Sequence, residues 1–343
     1  MPRVSVVIPN WNTLEHLPEC LDSLKAQTYR DFETVVVDNA SSDASVAYMH
    51  EHHPEVRVIE LGENTGFPGA VDAGIRATNT EYVVLLNNDT RAEPDWLERL
   101  VRAMDEHPEF SFASSKLLRY HTPELIDSAG HTYDLWIGAS FNLGEEEPAT
   151  HFTEPAWIFG ACAAASIYRR SLFEDIGDYD AEFFFTHEDV EFDLRANVAG
   201  HRCMLVPDAV VYHKRGASYD VDVRIHLLGV RNRIWAAGQT LPPLALALWI
   251  GGKVLRVVWW IPARLIGFTP GRRVATRDGG TRKVGAWKDV RIMDAVGAAA
   301  EAFRSLPRKR RQTRSVRRLS TMQFLRVLRE TKRTPSLAAR QPS

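Results

Sequence analysis

Four short apolar runs near the N-terminus constrain the fold of this chain more than any other feature. Residues 4–8, 34–37, 56–61 and 82–86 are rich in Val, Ile and Leu, and stretches of helical character at 14–26, about 43–52, 68–77 and 94–106 follow or separate them. Runs this short and this branched suit strands buried on both faces. Alternating with helices, they imply an α/β chain built on an open, mostly parallel sheet. Ligands of such sheets gather at the carboxyl ends of the strands, so the residues just after each run are the first candidates for chemistry.

Those residues are polar at every turn. The first run ends Ile8-Pro9-Asn10-Trp11-Asn12, the second Asp38-Asn39-Ala40-Ser41-Ser42-Asp43, and the fourth Asn87-Asn88-Asp89. The third leads into Gly62-Glu63-Asn64-Thr65-Gly66-Phe67. Turns favour Asn, Asp and Gly for their own reasons, so one such loop means little. Four in succession along one sheet edge point to a polar binding site.

Beyond residue 110 the alternation loosens. Residues 152–167 are apolar around Gly160-Ala161, 183–197 read as a loop entering a helix, and 203–206 and 209–212 as short strands. The clearest boundary is Leu241-Pro242-Pro243. From residue 241 onward there are 23 Lys and Arg against 5 Asp and Glu, a net +18, whereas residues 1–240 carry a net −20. At 343 residues the chain exceeds one ordinary core. The expected division is a catalytic domain over 1–240, an apolar and basic helical region over 241–300, and a basic tail over 301–343.

Cys20, Cys162 and Cys203 are odd in number and form no CxxC pair, which argues against a disulfide scaffold or zinc knuckle and for a reducing compartment. Met1 leads into a strand pattern within three residues, without the features of a signal peptide. The cytosol is the expected compartment. Residues 244–268 are apolar but interrupted by Lys253, Arg256 and Arg264, which fall on one helical stripe, and by Pro262. That pattern suits an amphipathic helix lying in a membrane interface better than one that spans it. The rival is a helix packed on the catalytic domain. Arg308-Lys309-Arg310-Arg311 and Arg317-Arg318 would add attraction to an anionic membrane surface. Few aromatics accompany the charges after Phe303, so nucleic acid is not an expected partner.

The passages VSVVIPNWN, VVVDNASSDAS, ENTGFPGAVDAGI, YVVLLNND, FFFTHEDVEFDLRA and VVYHKRGAS together resemble the inverting GT-A glycosyltransferases of the family 2 type. Within that group they look like the bacterial rhamnosyl- and galactofuranosyltransferase branch. The resemblance covers about residues 3–235. It implies a GT-A fold, a pyrimidine nucleotide-sugar donor such as dTDP-rhamnose or a UDP-sugar, a lipid-linked saccharide acceptor and a Mg²⁺ or Mn²⁺ cofactor. The enzyme would then work peripherally at the inner face of the cell membrane.

Carried over residue by residue, the resemblance gives Pro9, Asn10, Asp38, Asn64, Gly66, Asn88 and Trp157 as donor-binding positions, with Asp38 accepting the imide N–H of the base. Asp89 and His213 match metal-holding positions, because a hard divalent cation prefers oxygen and imidazole ligands near a diphosphate. Asn87 stands where the family's DxD motif has its first Asp. Asp189 matches the catalytic base and Glu188 is its alternate, a carboxylate being suited to take a proton from the acceptor hydroxyl. Thr186 stands three residues before Asp189, the spacing of a helix capping box, so capping is the rival role for this carboxylate. Asp72 stands where the family usually has Asn. Arg231 and Arg233 lie where basic residues can meet a pyrophosphate. Two alternatives for the whole chain are a sugar-1-phosphate nucleotidyltransferase, disfavoured by the missing Gly-rich loop after the first strand, and a non-catalytic glycan- or nucleic-acid-binding protein. Gly279-Gly280-Thr281-Arg282 and His50-Glu51-His52-His53 are look-alikes of a phosphate loop and a metal motif, in the wrong places for either.

Overall fold

The structure is a computed structural model that describes residues 2–214, 223–265, 272–275, 281–284 and 292–332. The N-terminal part alternates as its apolar periodicity requires: β1 (Val4–Asn10), α1 (Leu17–Lys25), β2 (Phe32–Asp38), α2 (Ser45–His52), β3 (Arg57–Glu60), α3 (Gly66–Arg76), β4 (Tyr82–Leu86), β5 (Thr90–Ala92) and α4 (Trp96–Glu106). Helix α1 starts later than the expected residue 14, with Pro18 in its first turn, where a fixed φ and a missing N–H cost nothing. There follow β6 (Phe112–Arg119), β7 (Thr122–Ser128), the β8 (His131–Asp134) and β9 (Ala139–Asn142) hairpin, β10 (Ala156–Ile158), β11 (Ala165–Arg169), α5 (Arg170–Ile176), α6 (Glu188–Ala199) and β12 (Cys203–His213). The two short strands expected at 203–212 are one strand, irregular between Val206 and Val210.

The main sheet runs β10-β12-β6-β11-β4-β1-β2-β3. Strands β4, β1, β2 and β3 are parallel, β11 is antiparallel between β4 and β6, and β12 returns parallel to β6. The order reverses at β1, which has β2 on one side and β4 on the other, and a crevice opens there beyond the carboxyl ends. The β1–β2 register sets Asn10 directly opposite Asp38.

Both faces of the sheet are covered. Val4, Val6, Ile8, Val84 and Leu86 pack against α1 and α4, while Val7, Val35, Val37, Val83 and Leu85 pack against α3, α5 and α6. Each such side chain removed from water contributes roughly 1.5–3 kcal/mol.

Helices α7 (Val223–Thr240), α8 (Pro243–Leu265), α9 (Ile292–Gln312) and α10 (Thr321–Lys332) complete the described chain. They share a third core with α6: Phe159, Phe183, Val190 and Leu194 pack with Trp235, Leu241, Trp249, Ala302 and Phe324. Residues on both sides of position 240 therefore build one core. Helix α8 turns Ala245, Trp249 and Gly252 inward and leaves Leu244, Ala247, Ile250 and Leu255 exposed. Lys253 reaches inward too, donating to the Ile137 carbonyl at 2.8 Å. No helix among the described residues is long and apolar enough to cross a membrane.

Candidate active site

The expected donor-binding residues, Trp157 apart, gather at the carboxyl ends of β1 to β4. Asn10 Nδ2 donates to Asp38 Oδ1 at 2.9 Å, and the Ser41 backbone N–H donates to Asp38 Oδ2 at 2.9 Å. Asp38 is thereby held buried with both oxygens engaged. Each oxygen keeps a second lone pair for a ligand N–H. Asn88 Nδ2 donates to Asn10 Oδ1 at 2.9 Å and also to Thr13 Oγ1. Just after β2, Asn39 Nδ2 donates to Asn64 Oδ1 at 3.0 Å and to the Gly66 carbonyl at 3.0 Å. Asn64 Oδ1 in turn accepts from the Gly66 N–H at 2.9 Å. Pro9 precedes Asn10 in β1, so it shares this edge.

Gly66 has a structural duty beyond the approach of a donor. Its φ is +75°, and a Cβ there would lie 2.1 Å from the Phe184 carbonyl oxygen. The Phe67 N–H donates to that oxygen at 2.8 Å. Glycine thus seats the 180–187 loop against the start of α3. That loop is strained: Phe184, Thr186 and His187 all have positive φ, at 63°, 66° and 67°, a region most side chains avoid.

The loop is held by residues far away in sequence. Asn232 of α7, fully buried, shares the two N–H donors of Nδ2 among the carbonyls of Phe183, Phe185 and Thr186, all at 2.8–2.9 Å. Arg231 donates to the Glu182 carbonyl at 2.9 Å and stacks on Trp235 at 4.2 Å, so its guanidinium is committed to the loop. Arg233 Nε lies 3.4 Å from His187 Nε2. Lys309 of α9 has no solvent exposure, sits 2.6 Å from Asp180 and 3.5 Å from Glu182, and rests on the rings of Trp235 and Phe183. Arg308 pairs with Glu182 at 2.6 Å, Arg310 donates to the Gly238 and Leu241 carbonyls, and Arg318 pairs with Asp175. Much of the basic cluster expected to face a membrane is therefore turned toward the protein itself.

The clamped loop delivers Glu188 and Asp189 to the first turn of α6. The capping box does not form: the residue preceding the helix is His187 in a left-handed conformation with no side-chain cap, and Thr186 Oγ1 instead meets His187 Nδ1 at 2.6 Å. Glu188 Oε2 is buried without a hydrogen-bond partner, and burial together with the charge of Asp189 pushes its pKa up to about 8. Asp189 Oδ1 accepts from the Val190 N–H at 2.7 Å, and Oδ2 lies 3.7 Å from His131 Nε2. His187 is driven down to about 3 by burial and by Arg233 and Lys253. It is neutral at working pH.

Asp89 and His213 also come together. His213 Nε2 is 3.3 Å from Asp89 Oδ1, and its Nδ1 lies 2.8 Å from Asp127 Oδ2. Burial works against charge on both. The pair nonetheless holds Asp89 below the ordinary carboxylate range and raises His213 well above that of a free imidazole. Asp89 Oδ1 is a buried oxygen that no hydrogen bond satisfies, and Asp127 orients the imidazole so that Nε2 faces it. A hard oxygen beside an imidazole nitrogen suits a divalent cation, which on binding would displace the proton that His213 Nε2 otherwise shares with Asp89. Among the described residues no three His, Cys, Asp or Glu form a closed cage, so a cation here would complete its shell with phosphate oxygens and water.

Trp157 lies elsewhere. Its β10 strand pairs with the start of β12, opposite Met204, and its ring packs in the core beneath the Arg202 guanidinium at 4.8 Å. The structure does not bring it into the Asn10–Asp38–Asn88 network. Asp127, His131, Asp193, Asn232 and Lys309 were not foreseen from sequence. One readable signal was available: Asp189 and Asp193 are four residues apart, hence on one face of a helix.

The family description Glycosyl transferase family 2 matches residues 5–177. The O-antigen biosynthesis protein RfbC of Myxococcus xanthus is 30% identical over 232 residues, 64% of this chain but only 18% of that protein. An N-acetylglucosaminyl-diphospho-decaprenol L-rhamnosyltransferase of Mycobacterium tuberculosis is 27% identical over 247 residues, covering 65% of this chain and 79% of that one. In fold, the chain is similar to S. aureus TarS in complex with UDP, with TM-score 0.53, 17% identity and coverage of 97% of this chain and 92% of that one. GalNAc-T7 with UDP, GalNAc and Mn²⁺ gives TM-score 0.57 at 16% identity, over 70% of this chain and 48% of that one.

Proposed function

The chain belongs to glycosyl transferase family 2, and from that premise we propose that it moves a sugar from a pyrimidine nucleoside-diphosphate donor to a lipid-linked saccharide, inverting the anomeric centre. dTDP-rhamnose is the first donor to test and a UDP-sugar the second, in keeping with the relative named as an L-rhamnosyltransferase. The observation that carries the reading is the convergence on one sheet edge of the Asn10–Asp38–Asn88 network and the Asp89–His213 pair, with the Asp189 loop tied to that edge through the Phe67–Phe184 hydrogen bond.

Asp38 accepts the imide N–H of the base, and Asn64 and Gly66 border the donor. Asp89 and His213 would hold a Mg²⁺ or Mn²⁺ ion, which when bound supplies positive charge for the departing diphosphate. Asp189 takes the proton of the acceptor hydroxyl as that oxygen's electron pair forms the new bond to the anomeric carbon. The old bond to the diphosphate oxygen breaks on the opposite face, and its electron pair leaves with the nucleoside diphosphate. Glu188, neutral near pH 7, does not compete as base and adds no second negative charge beside Asp189. We place the enzyme at an anionic membrane surface, attached through the exposed Leu244, Ala247, Ile250 and Leu255 face of α8, where its lipid-linked acceptor resides.

Asp189→Asn tests the reading. It keeps the side-chain volume but cannot accept a proton, so dTDP release from dTDP-rhamnose in the presence of acceptor falls about 10²–10⁴-fold while dTDP binding stays near normal. Undiminished turnover in this variant refutes the assignment of the base.

A further inference from the structure

A buried histidine stands behind the proposed base. His131, the first residue of β8, is 4% exposed. Its Nδ1 lies 2.7 Å from Asp193 Oδ2 and its Nε2 lies 3.7 Å from Asp189 Oδ2. Asp189 and Asp193 are one turn apart on α6, where two like charges repel. An imidazole between them relieves the repulsion only if it carries a proton.

The surroundings are built around this placement. Asp193 Oδ1 accepts from the Ala161 N–H at 3.1 Å, and a Cβ on Gly160 would fall 1.9 Å from Asp193 Oδ2. Glycine is required there for the carboxylate to fit. The His131 N–H donates to the Gly160 carbonyl at 2.7 Å, and Asn197 Nδ2 braces both the Phe159 and Asp193 carbonyls at 2.7 Å.

We infer that His131 is a positioning residue for Asp189: held by Asp193 as an imidazolium, it fixes the carboxylate in place to receive the acceptor's proton. This rests on the reading of Asp189 as the base. At 3.7 Å the Asp189–His131 contact is an ion pair and too long for a hydrogen bond, so Asp189 Oδ2 keeps a lone pair for the acceptor hydroxyl. His131 itself transfers no proton. The charge assignment agrees with the neighbours from every element packed on it. Burial works against protonation of His131, but Asp189 and Asp193 of α6, with Cys162, outweigh it and raise its pKa well above the ordinary value. Glu188, pushed up to about 8, is neutral, and so is His187, which faces Arg233 of α7 and Lys253 of α8.

The test uses the full chain with dTDP-rhamnose and a lipid-linked saccharide acceptor, and dTDP binding stoichiometry counts folded sites. His131→Gln lowers kcat per site about 10–100-fold and leaves dTDP affinity within about twofold, because the base has lost the group that positions it. In an Asp189→Asn background the same change costs nothing further, since both act through one group. If His131→Gln does not fold, Asp193→Asn, which keeps the side-chain volume, is expected to lower kcat at unchanged dTDP affinity. Full activity of His131→Gln overturns the inference, as does an equal fold-loss of residual activity in the Asp189→Asn background. An active Asp189→Asn enzyme would instead overturn the reading of the base. A dead Asp189→Asn beside a silent His131→Gln overturns only the role of His131.

Discussion

Lys309→Met separates two roles for the basic C-terminal cluster, anchor for a membrane and clamp for the catalytic loop. Methionine keeps an apolar stem against Phe183 and Trp235 but removes the charge that meets Asp180 at 2.6 Å and Glu182 at 3.5 Å. Removing one partner of a fully sequestered pair costs about 3–5 kcal/mol. Here the carboxylates retain 22% and 46% side-chain exposure and can rehydrate, which reduces the cost to about 1–2 kcal/mol. At about 2–4 °C per kcal/mol for a chain of this size, the melting temperature falls by about 2–8 °C. If that energy holds the loop that presents Asp189, kcat falls by about 5–30-fold, since each 1.4 kcal/mol is a factor of ten. The assay is dTDP release with a short water-soluble acceptor, so that membrane attachment plays no part, alongside dTDP binding, which should not change. Normal kcat on that acceptor together with weakened binding to anionic vesicles refutes the clamp and returns Lys309 to the membrane face.

Asp89→Ala should abolish Mn²⁺-dependent dTDP binding and turnover; a variant equal to the parent, with both fully active in EDTA, defeats the metal assignment. Asp72 is pushed up to about 7 by burial and by Asp178, so the folded state binds a proton that the unfolded state has released, and stability falls as pH rises from about 4 to about 7. Asp72→Asn should therefore raise the melting temperature more at pH 8 than at pH 5, and equal gains at both would show that the carboxyl is not the cause. Leu244→Asp combined with Leu255→Asp should detach the protein from anionic vesicles in high salt, where screening leaves apolar contact as the main anchor, without changing turnover of a soluble acceptor. If high salt alone releases the parent completely, the α8 face is not the anchor.

The sequence alone determined the sheet and the edge on which the candidate donor-side residues gather. Burial on both faces demands branched apolar runs, and parallel strands need helical crossovers, so β1 to β4 and their helices are written in local periodicity. Asn10, Asp38, Asn64, Asn88 and Asp89 could be read because each stands at the carboxyl end of a strand or in the loop just after it. Asp189 and His213 were legible only through the resemblance. What tertiary structure decided are the partners. Asp127 reaches His213 across 86 residues, His131 reaches Asp193 across 62, and Lys309 reaches Asp180 across 129. No local pattern encodes such pairings, because the energy that fixes them arises only when distant segments have jointly excluded water. Composition could likewise report a basic C-terminal third but not the direction in which its charges point. Lys253, Lys309 and Arg310 face inward because the carbonyls and carboxylates they satisfy are themselves products of the fold. Trp157 shows the same division: an aromatic beside a glycine reads equally as a ligand platform or as core, and only the fold shows its ring packed beneath Arg202.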